Sequence, residues 1–195
     1  GLIKMDFLGL RNLTVLDDAV KLVRRSQPDF DIEKVPEDDK KVFEMLQAGR
    51  TSGVFQLESS GITAVCTGLK PKSIEDITAI IALYRPGPMD SIPRFIACKH
   101  SPEKITYKHP LLVPILSNTY GCIVYQEQVM RIFREIAGYT FGHADIVRRA
   151  MSKKKASVME AERGLFVEGA KKNGMSEADA IELFEDMASF ASYAF

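Results

Sequence analysis

The sequence lacks several features that mark particular classes of protein. It has no tryptophan, three histidines and three cysteines among its 195 residues. The cysteines, Cys66, Cys98 and Cys122, are widely spaced, so they predict neither a disulfide framework nor a zinc site, and a reduced cytoplasmic setting is the default expectation. No apolar run approaches the length of a membrane span, and no basic-then-apolar stretch indicates secretion. We therefore expect no membrane partner.

The sequence also lacks a net charge, since 26 basic and 26 acidic side chains balance. Proteins that bind nucleic acids are usually basic overall, so this balance taken by itself argues against such a protein. The distribution of charge is uneven, however. Residues 148–155 (RRAMSKKK) hold five basic side chains and no acid, whereas acids gather at 29–39 and 176–186. The chain can therefore carry a locally basic surface on a neutral body.

The length and the 46% hydrophobic content are enough for one buried core, in one domain with or without an appendage. The sequence opens at Gly1 just before an apolar alternation and closes at Phe195 after an apolar run with no helix stop signal. We therefore expect both ends to be cuts through a longer protein.

Periodicity predicts a mainly α-helical body with a few short strands. Residues 2–8 (LIKMDFL) alternate apolar and charged side chains as a strand does, and TSGVFQLES and GCIVY are short and β-prone. Apolar residues at helical spacing, separated by caps and stop signals, fill most of the rest. The predicted helices cover residues 12–25, 36–48, a short stretch after 61, 73–85, 126–137, 143–151, 156–173 and 177–192.

Asp6 and Lys4 share one face of the predicted first strand. A carboxylate on a rigid strand is a suitable ligand for Mg²⁺, and a neighbouring lysine could neutralise phosphate charge. The plainer interpretation is a half-exposed strand with a local ion pair that contributes little. From the residues alone the plainer interpretation is favoured, because one carboxylate does not make a two-metal site.

The basic run begins with Arg148 and Arg149 on a predicted helix and continues through Lys153 to Lys155. Adjacent helical residues diverge by about 100°, so the two arginines cannot grip one phosphate symmetrically, although they could contact successive phosphates. The alternative is a solvated basic helix end, which the helix dipole favours. Both interpretations stay open at this point.

Arg85 lies in LYRPGPMDS, where a helix stops against two prolines. A rigid loop of this kind is a good place for a functional contact. Spacing alone favours a structural turn with a solvent-facing arginine.

Five extended blocks, taken together, resemble a known family. They are GLIKMDFLGLRNLTV, GVFQLESSGI, IALYRPGPMDSIPRFI, TYGCIVYQEQVM and GHADIVRRAMSKKK. In this order they are similar to the C family of DNA polymerases, the bacterial DNA polymerase III alpha subunits, and the similarity covers essentially the whole chain. The resemblance implies that residues 1–10 are the C-terminal edge of the palm, with a remnant of its catalytic strand. Residues 11–195 would be a mainly α-helical fingers domain, truncated at its C-terminus.

The resemblance also implies roles for individual residues. Asp6 would be the third metal-binding carboxylate of the palm, with Lys4 beside it near the incoming triphosphate. Arg148 and Arg149, helped by Lys153, would meet that triphosphate. Arg85 would be a weaker candidate for nucleotide or template contact.

The implied activity is nucleotidyl transfer from a dNTP to the primer 3′-hydroxyl of primer–template DNA, with two Mg²⁺ ions, in a bacterial cytoplasm. The sliding clamp and other replicase subunits would bind through regions outside this chain. Because the two partner aspartates are absent from this sequence, we expect the chain to be inactive by itself. Two alternatives remain: a non-enzymatic helical module that binds nucleic acid through RRAMSKKK, and an interaction fragment whose apolar edges belong against other domains.

Overall fold

A computed structural model describes residues 1–152 and 156–191, and in these residues the chain forms ten α-helices joined by turns and short 3-10 helices. The mainly α-helical prediction is confirmed. None of the helices described is long and apolar enough to cross a membrane. The helices are α1 (Arg11–Val23), α2 (Lys40–Gln47), α3 (Ser60–Leu69), α4 (Ile74–Leu83), α5 (Ile92–His100), α6 (Val113–Leu116), α7 (Gln126–Ala137), α8 (Phe141–Ser152), α9 (Ala156–Lys172) and α10 (Glu177–Ala191).

The predicted short strands are wrong, because the described part of the chain contains no β-strand. Residues 1–10 have no regular secondary structure and are exposed, with Ile3 and Phe7 each 88% accessible. Alternation of side chains makes a strand only where a second strand accepts its backbone hydrogen bonds, and no such neighbour lies beside this segment among the described residues. Residues 2–8 therefore have the sequence pattern of a strand without its structure.

The other two β-prone segments form turns for local reasons. In TSGVFQLES the φ angle of Gln56 is 62°, which lies in the left-handed region and breaks any extended run. In GCIVY the backbone N–H groups of Val124 and Tyr125 donate to the side-chain oxygen of Gln128, at 2.8 and 2.9 Å. A buried side-chain amide thus replaces the strand partner that the sequence pattern predicted.

Gln128 also fixes where α7 begins. Its Nε2 donates to the hydroxyl of Thr119 at 2.8 Å and to the carbonyl of Ile115 at 3.2 Å. Only 7% of the residue is accessible to solvent, so all of these bonds are shielded from water. The first turn of α7, including Gln126, is therefore held rigidly against the preceding loop.

Two hydrophobic clusters form the core. One lies among α2 to α5 and includes Leu69, Ile80 and Phe95, and the other lies among α6 to α10 and includes Phe133 and Phe166. In the second cluster Phe133 packs edge-on against Phe166 with ring centroids 5.4 Å apart. Helices α7, α9 and α10 thereby make a rigid base on which α8 lies.

Candidate functional site

The candidate site is the exposed side of α8, the helix that carries the first half of the basic run. Its inward side is apolar, since Ala144, Val147 and Met151 are each no more than 1% accessible. Spacing of three and four residues places these three side chains on one face, which directs the intervening polar side chains away from the core. The helix is therefore fixed in rotation as well as in position.

The start of α8 is tied to α9 by a polar cluster. His143 Nε2 lies 3.0 Å from Glu162 Oε1, and the Tyr139 hydroxyl donates to Glu162 Oε2 at 3.0 Å. The His143 ring stacks on Tyr139 with centroids 4.3 Å apart. Burial, together with the neighbouring Glu162 carboxylate, raises the pKa of Tyr139 above its usual range, so the hydroxyl stays protonated as a donor.

Arg148 and Arg149 are brought together by one carboxylate. Asp145 Oδ1 accepts hydrogen bonds from Arg148 Nε and Nη2 at 3.2 and 2.8 Å, and Asp145 Oδ2 lies 2.7 Å from Arg149 Nη2. The two arginines differ in exposure, with 19% of the Arg148 side chain accessible and 68% of the Arg149 side chain. The arrangement therefore combines one guanidinium that hydrogen bonds hold in place, that of Arg148, with one that is exposed to solvent, that of Arg149.

A second helix contributes to this cluster. Gln126, at the first position of α7, accepts a hydrogen bond through its side-chain oxygen from Arg148 Nη1 at 2.6 Å. Because Gln126 and Arg148 are 22 residues apart, the contact belongs to the tertiary fold and not to local helix geometry. One residue of the TYGCIVYQEQVM block, Gln126, thus meets one residue of the GHADIVRRAMSKKK block, Arg148.

The electrostatics of the cluster favour an anion. The hydrogen bonds from Arg148, followed by the charge and hydrogen bond of Arg149, hold the pKa of Asp145 below its usual value, so its carboxylate is charged at neutral pH. Among the described residues, these two guanidinium groups lie against one carboxylate, which gives a positive balance. A guanidinium fork binds phosphate oxygens two at a time, so the exposed Arg149 is suited to a phosphate.

The other predicted site residues lie elsewhere or are not described. Lys4 and Asp6 form an ion pair of 3.4 Å on the exposed N-terminal segment, with 86% and 75% of their side chains accessible. Arg85 is exposed at the end of α4, where its carbonyl accepts a hydrogen bond from the Met89 N–H at 3.1 Å. Lys153 lies outside the described residues.

A metal site is not formed by the residues that the structure describes. They contain no group of three or more His, Cys, Asp or Glu side chains that could hold a metal ion. Asp6 offers a single, largely exposed carboxylate beside a lysine. This donor set does not fit a Mg²⁺ centre by itself, because catalytic Mg²⁺ in phosphoryl transfer needs further protein oxygens.

Residues 12–174 match the family model of the bacterial DNA polymerase III alpha subunit finger domain. The chain belongs to this family. The resemblance that the five sequence blocks carry is therefore confirmed.

Relatives of this finger domain are similar to it in sequence along its whole length. DNA polymerase III subunit alpha of Staphylococcus aureus strain COL is 52% identical over 196 aligned residues, which cover 100% of this chain. The subunit of S. aureus strain MRSA252 is 51% identical and that of Staphylococcus epidermidis strain ATCC 12228 is 50% identical, again over 100% of this chain. The chain spans 18% of the length of each of these curated relatives.

Two residues of this finger domain were missed by sequence reasoning. Asp145 lies three and four residues before the two arginines, and that spacing alone predicts ion pairs on a helix. The angle of about 100° between adjacent helical residues does not keep the two arginines apart, because their long side chains bend towards the same carboxylate. Gln126 could not be predicted as part of the site, because nothing in the sequence indicates its contact with Arg148, 22 residues away.

Proposed function

We propose that this chain is the fingers part of a DNA-directed DNA polymerase, with residues 1–10 as the C-terminal edge of the palm and residues 11–195 as the fingers. The polymerase transfers a nucleotidyl group from a dNTP to the 3′-hydroxyl of a primer. One observation carries the proposal: Arg149 is exposed on a helix whose rotation is fixed, next to an arginine that is braced in place. The finger-domain match supports the same conclusion.

The exposed side of α8 binds the triphosphate of the incoming nucleotide in this proposal. Arg149 contacts phosphate oxygens directly, while Arg148 contributes positive charge from its braced position. Lys153 extends the basic run past α8, and Arg85 is a second, weaker candidate for nucleotide or template contact. Fixed positive charges of this kind stabilise the charge that spreads over the phosphoryl oxygens during transfer.

The test uses the full-length alpha subunit that carries this chain, with primer–template DNA. Arg149→Ala should raise the dNTP concentration that gives half-maximal single-nucleotide incorporation by about 10- to 100-fold, because a charge-assisted hydrogen bond contributes about 1.5–3 kcal/mol. Lys172→Ala removes an exposed basic side chain at the end of α9 and should leave this concentration unchanged. If Arg149→Ala weakened the binding of duplex DNA equally with and without dNTP, the result would favour the alternative proposal, a helical nucleic-acid-binding module.

Asp6 and Lys4 act at the reacting end of the nucleotide in this proposal. Asp6 supplies one carboxylate of a metal centre whose other ligands lie outside this chain, and Lys4 lies near the triphosphate. In the full-length subunit, Asp6→Asn should reduce the rate of nucleotide incorporation by at least about 100-fold. Asp18→Asn is a matched control, since Asp18 is also exposed and lies 3.3 Å from a lysine. Near-normal incorporation by the Asp6 variant would remove this residue from the active site.

A further inference from the structure

The contacts of Asp145 divide the two arginines between its two oxygens. Arg148 approaches Oδ1 through Nε and Nη2, and Arg149 approaches Oδ2 through Nη2. Gln126 accepts from the third nitrogen of Arg148, Nη1, at 2.6 Å. The planar guanidinium of Arg148 is thus held by oxygens from two helices, which fixes its orientation.

This arrangement differs from an ordinary ion pair on a helix surface. Exposed pairs at such spacing contribute little, because water and salt screen them and the long side chains lose entropy. Here only 19% of the Arg148 side chain and 23% of the Asp145 side chain are accessible, so screening is reduced. The contact with Gln126 adds a tertiary anchor on α7, whose first turn is fixed by the buried Gln128.

We propose that Asp145 and Gln126 are positioning residues that prepare Arg149 to bind the phosphates of the incoming nucleotide. Gln126 and Asp145 Oδ1 hold Arg148 in place, which leaves Asp145 Oδ2 for Arg149. Asp145 then keeps the exposed Arg149 side chain on the same side of α8 as Arg148, and both positive charges face the same ligand. This inference rests on the proposed function, because it requires that Arg149 binds phosphate.

The physical gain is preorganisation. An exposed arginine loses side-chain entropy when a ligand immobilises it. If Asp145 already restricts the Arg149 side chain, part of this entropy is lost on folding and not on binding. The ligand therefore binds more tightly. Asp145 also offsets the repulsion between two neighbouring guanidinium groups, and the cluster still keeps a positive balance for the phosphate.

The experiment measures dNTP-dependent single-nucleotide incorporation by the full-length alpha subunit. Asp145→Asn keeps the size of the side chain and removes its charge, and it should raise the apparent KM for dNTP by about 3- to 10-fold with a smaller change in kcat. Gln126→Met removes the oxygen and keeps the length, and it should change KM in the same direction but less. Asp145→Glu keeps the charge, so its KM should lie between those of the wild type and Asp145→Asn, and it keeps the test readable if the amide variant yields little folded protein.

The matched control is Glu135→Gln on α7. Glu135 pairs with Arg131 at 3.0 Å and helical spacing, with 39% of its side chain accessible, but it belongs to no part of the proposed site. This variant tests whether loss of any helix ion pair changes KM, and its KM should equal that of the wild type.

The decisive comparison combines Asp145→Asn with Arg149→Ala. If Asp145 acts through Arg149, the amide substitution should raise KM by less than about 2-fold once Arg149 is absent. Additive effects would overturn the positioning role, and so would an unchanged or lowered KM for Asp145→Asn alone. These outcomes leave the proposed function standing as long as Arg149→Ala raises KM. An unchanged KM for Arg149→Ala would instead overturn the proposed function itself.

Discussion

The buried ion pair between Asp76 on α4 and Lys99 on α5 offers the sharpest test of what holds the fold together. Each side chain is 8% accessible to solvent. The carboxylate also accepts the backbone N–H of Lys72 at 2.8 Å and the hydroxyl of Tyr120 at 3.4 Å. Lys99→Met keeps the apolar stem and removes the ammonium group, which leaves the buried carboxyl group of Asp76 without its cation.

Breaking a buried pair in this way costs about 3–5 kcal/mol. For a chain of 195 residues each kcal/mol lowers the unfolding temperature by about 2–4 °C, so Lys99→Met should lower it by about 10 °C. Urea unfolding should show the same loss at an unchanged m-value. The exposed pair of Arg131 and Glu135 is the control, and Glu135→Gln should cost only about 0.3–0.5 kcal/mol.

A double variant separates the effect of breaking this ion pair from the effect of losing packing. Asp76→Asn combined with Lys99→Met removes both charges, so no unpaired charge stays buried, and the double variant should be more stable than the sum of the two single losses predicts. Strict additivity, or a cost below about 1 kcal/mol for Lys99→Met, would mean that the pair of Asp76 and Lys99 behaves like a surface contact and does not stabilise the buried carboxylate.

Two further predictions concern close packing and thiol reactivity. A Cβ at Gly169 would collide with the backbone carbonyl of Ala137, so Gly169→Ala should destabilise the fold by about 1–3 kcal/mol in urea unfolding. A Cβ at Gly164 in the same helix would meet open space, so Gly164→Ala should be neutral or stabilising. Burial raises the pKa of the Cys122 thiol to about 11, so alkylation at about pH 8 should be slow in the folded chain and fast in urea, and equal rates would contradict the burial.

The helices were predictable from the sequence because local signals decide them. Apolar spacing and caps mark the long helices, and Gly138 ends α7 with a φ of 75° where the stop signal predicts an end. The strands were not predictable in the same way. Residues 2–8 have a strand pattern, but a strand needs a partner, and the described chain supplies none. The GCIVY segment does not form the predicted strand, because the side chain of the buried Gln128 accepts its backbone hydrogen bonds.

The candidate site was predictable in part. The family resemblance points to Arg148 and Arg149, and the structure brings both onto one carboxylate. Arg148, the less exposed of the two, also contacts Gln126 on another helix, and no local pattern in the sequence indicates this contact. The sequence therefore locates the charges, while the fold decides which of them faces solvent.

Whether the exposed side of α8 binds the incoming triphosphate can be measured as equilibrium binding of a dNTP to the full-length alpha subunit, on primer–template DNA whose primer lacks a 3′-hydroxyl. Without chemistry, the measurement reports nucleotide binding alone. Arg149→Ala should weaken dNTP binding by about 10- to 100-fold, while Lys172→Ala should have no effect. Equal affinity in the wild type and the Arg149 variant would contradict the claim that the exposed side of α8 binds the incoming triphosphate.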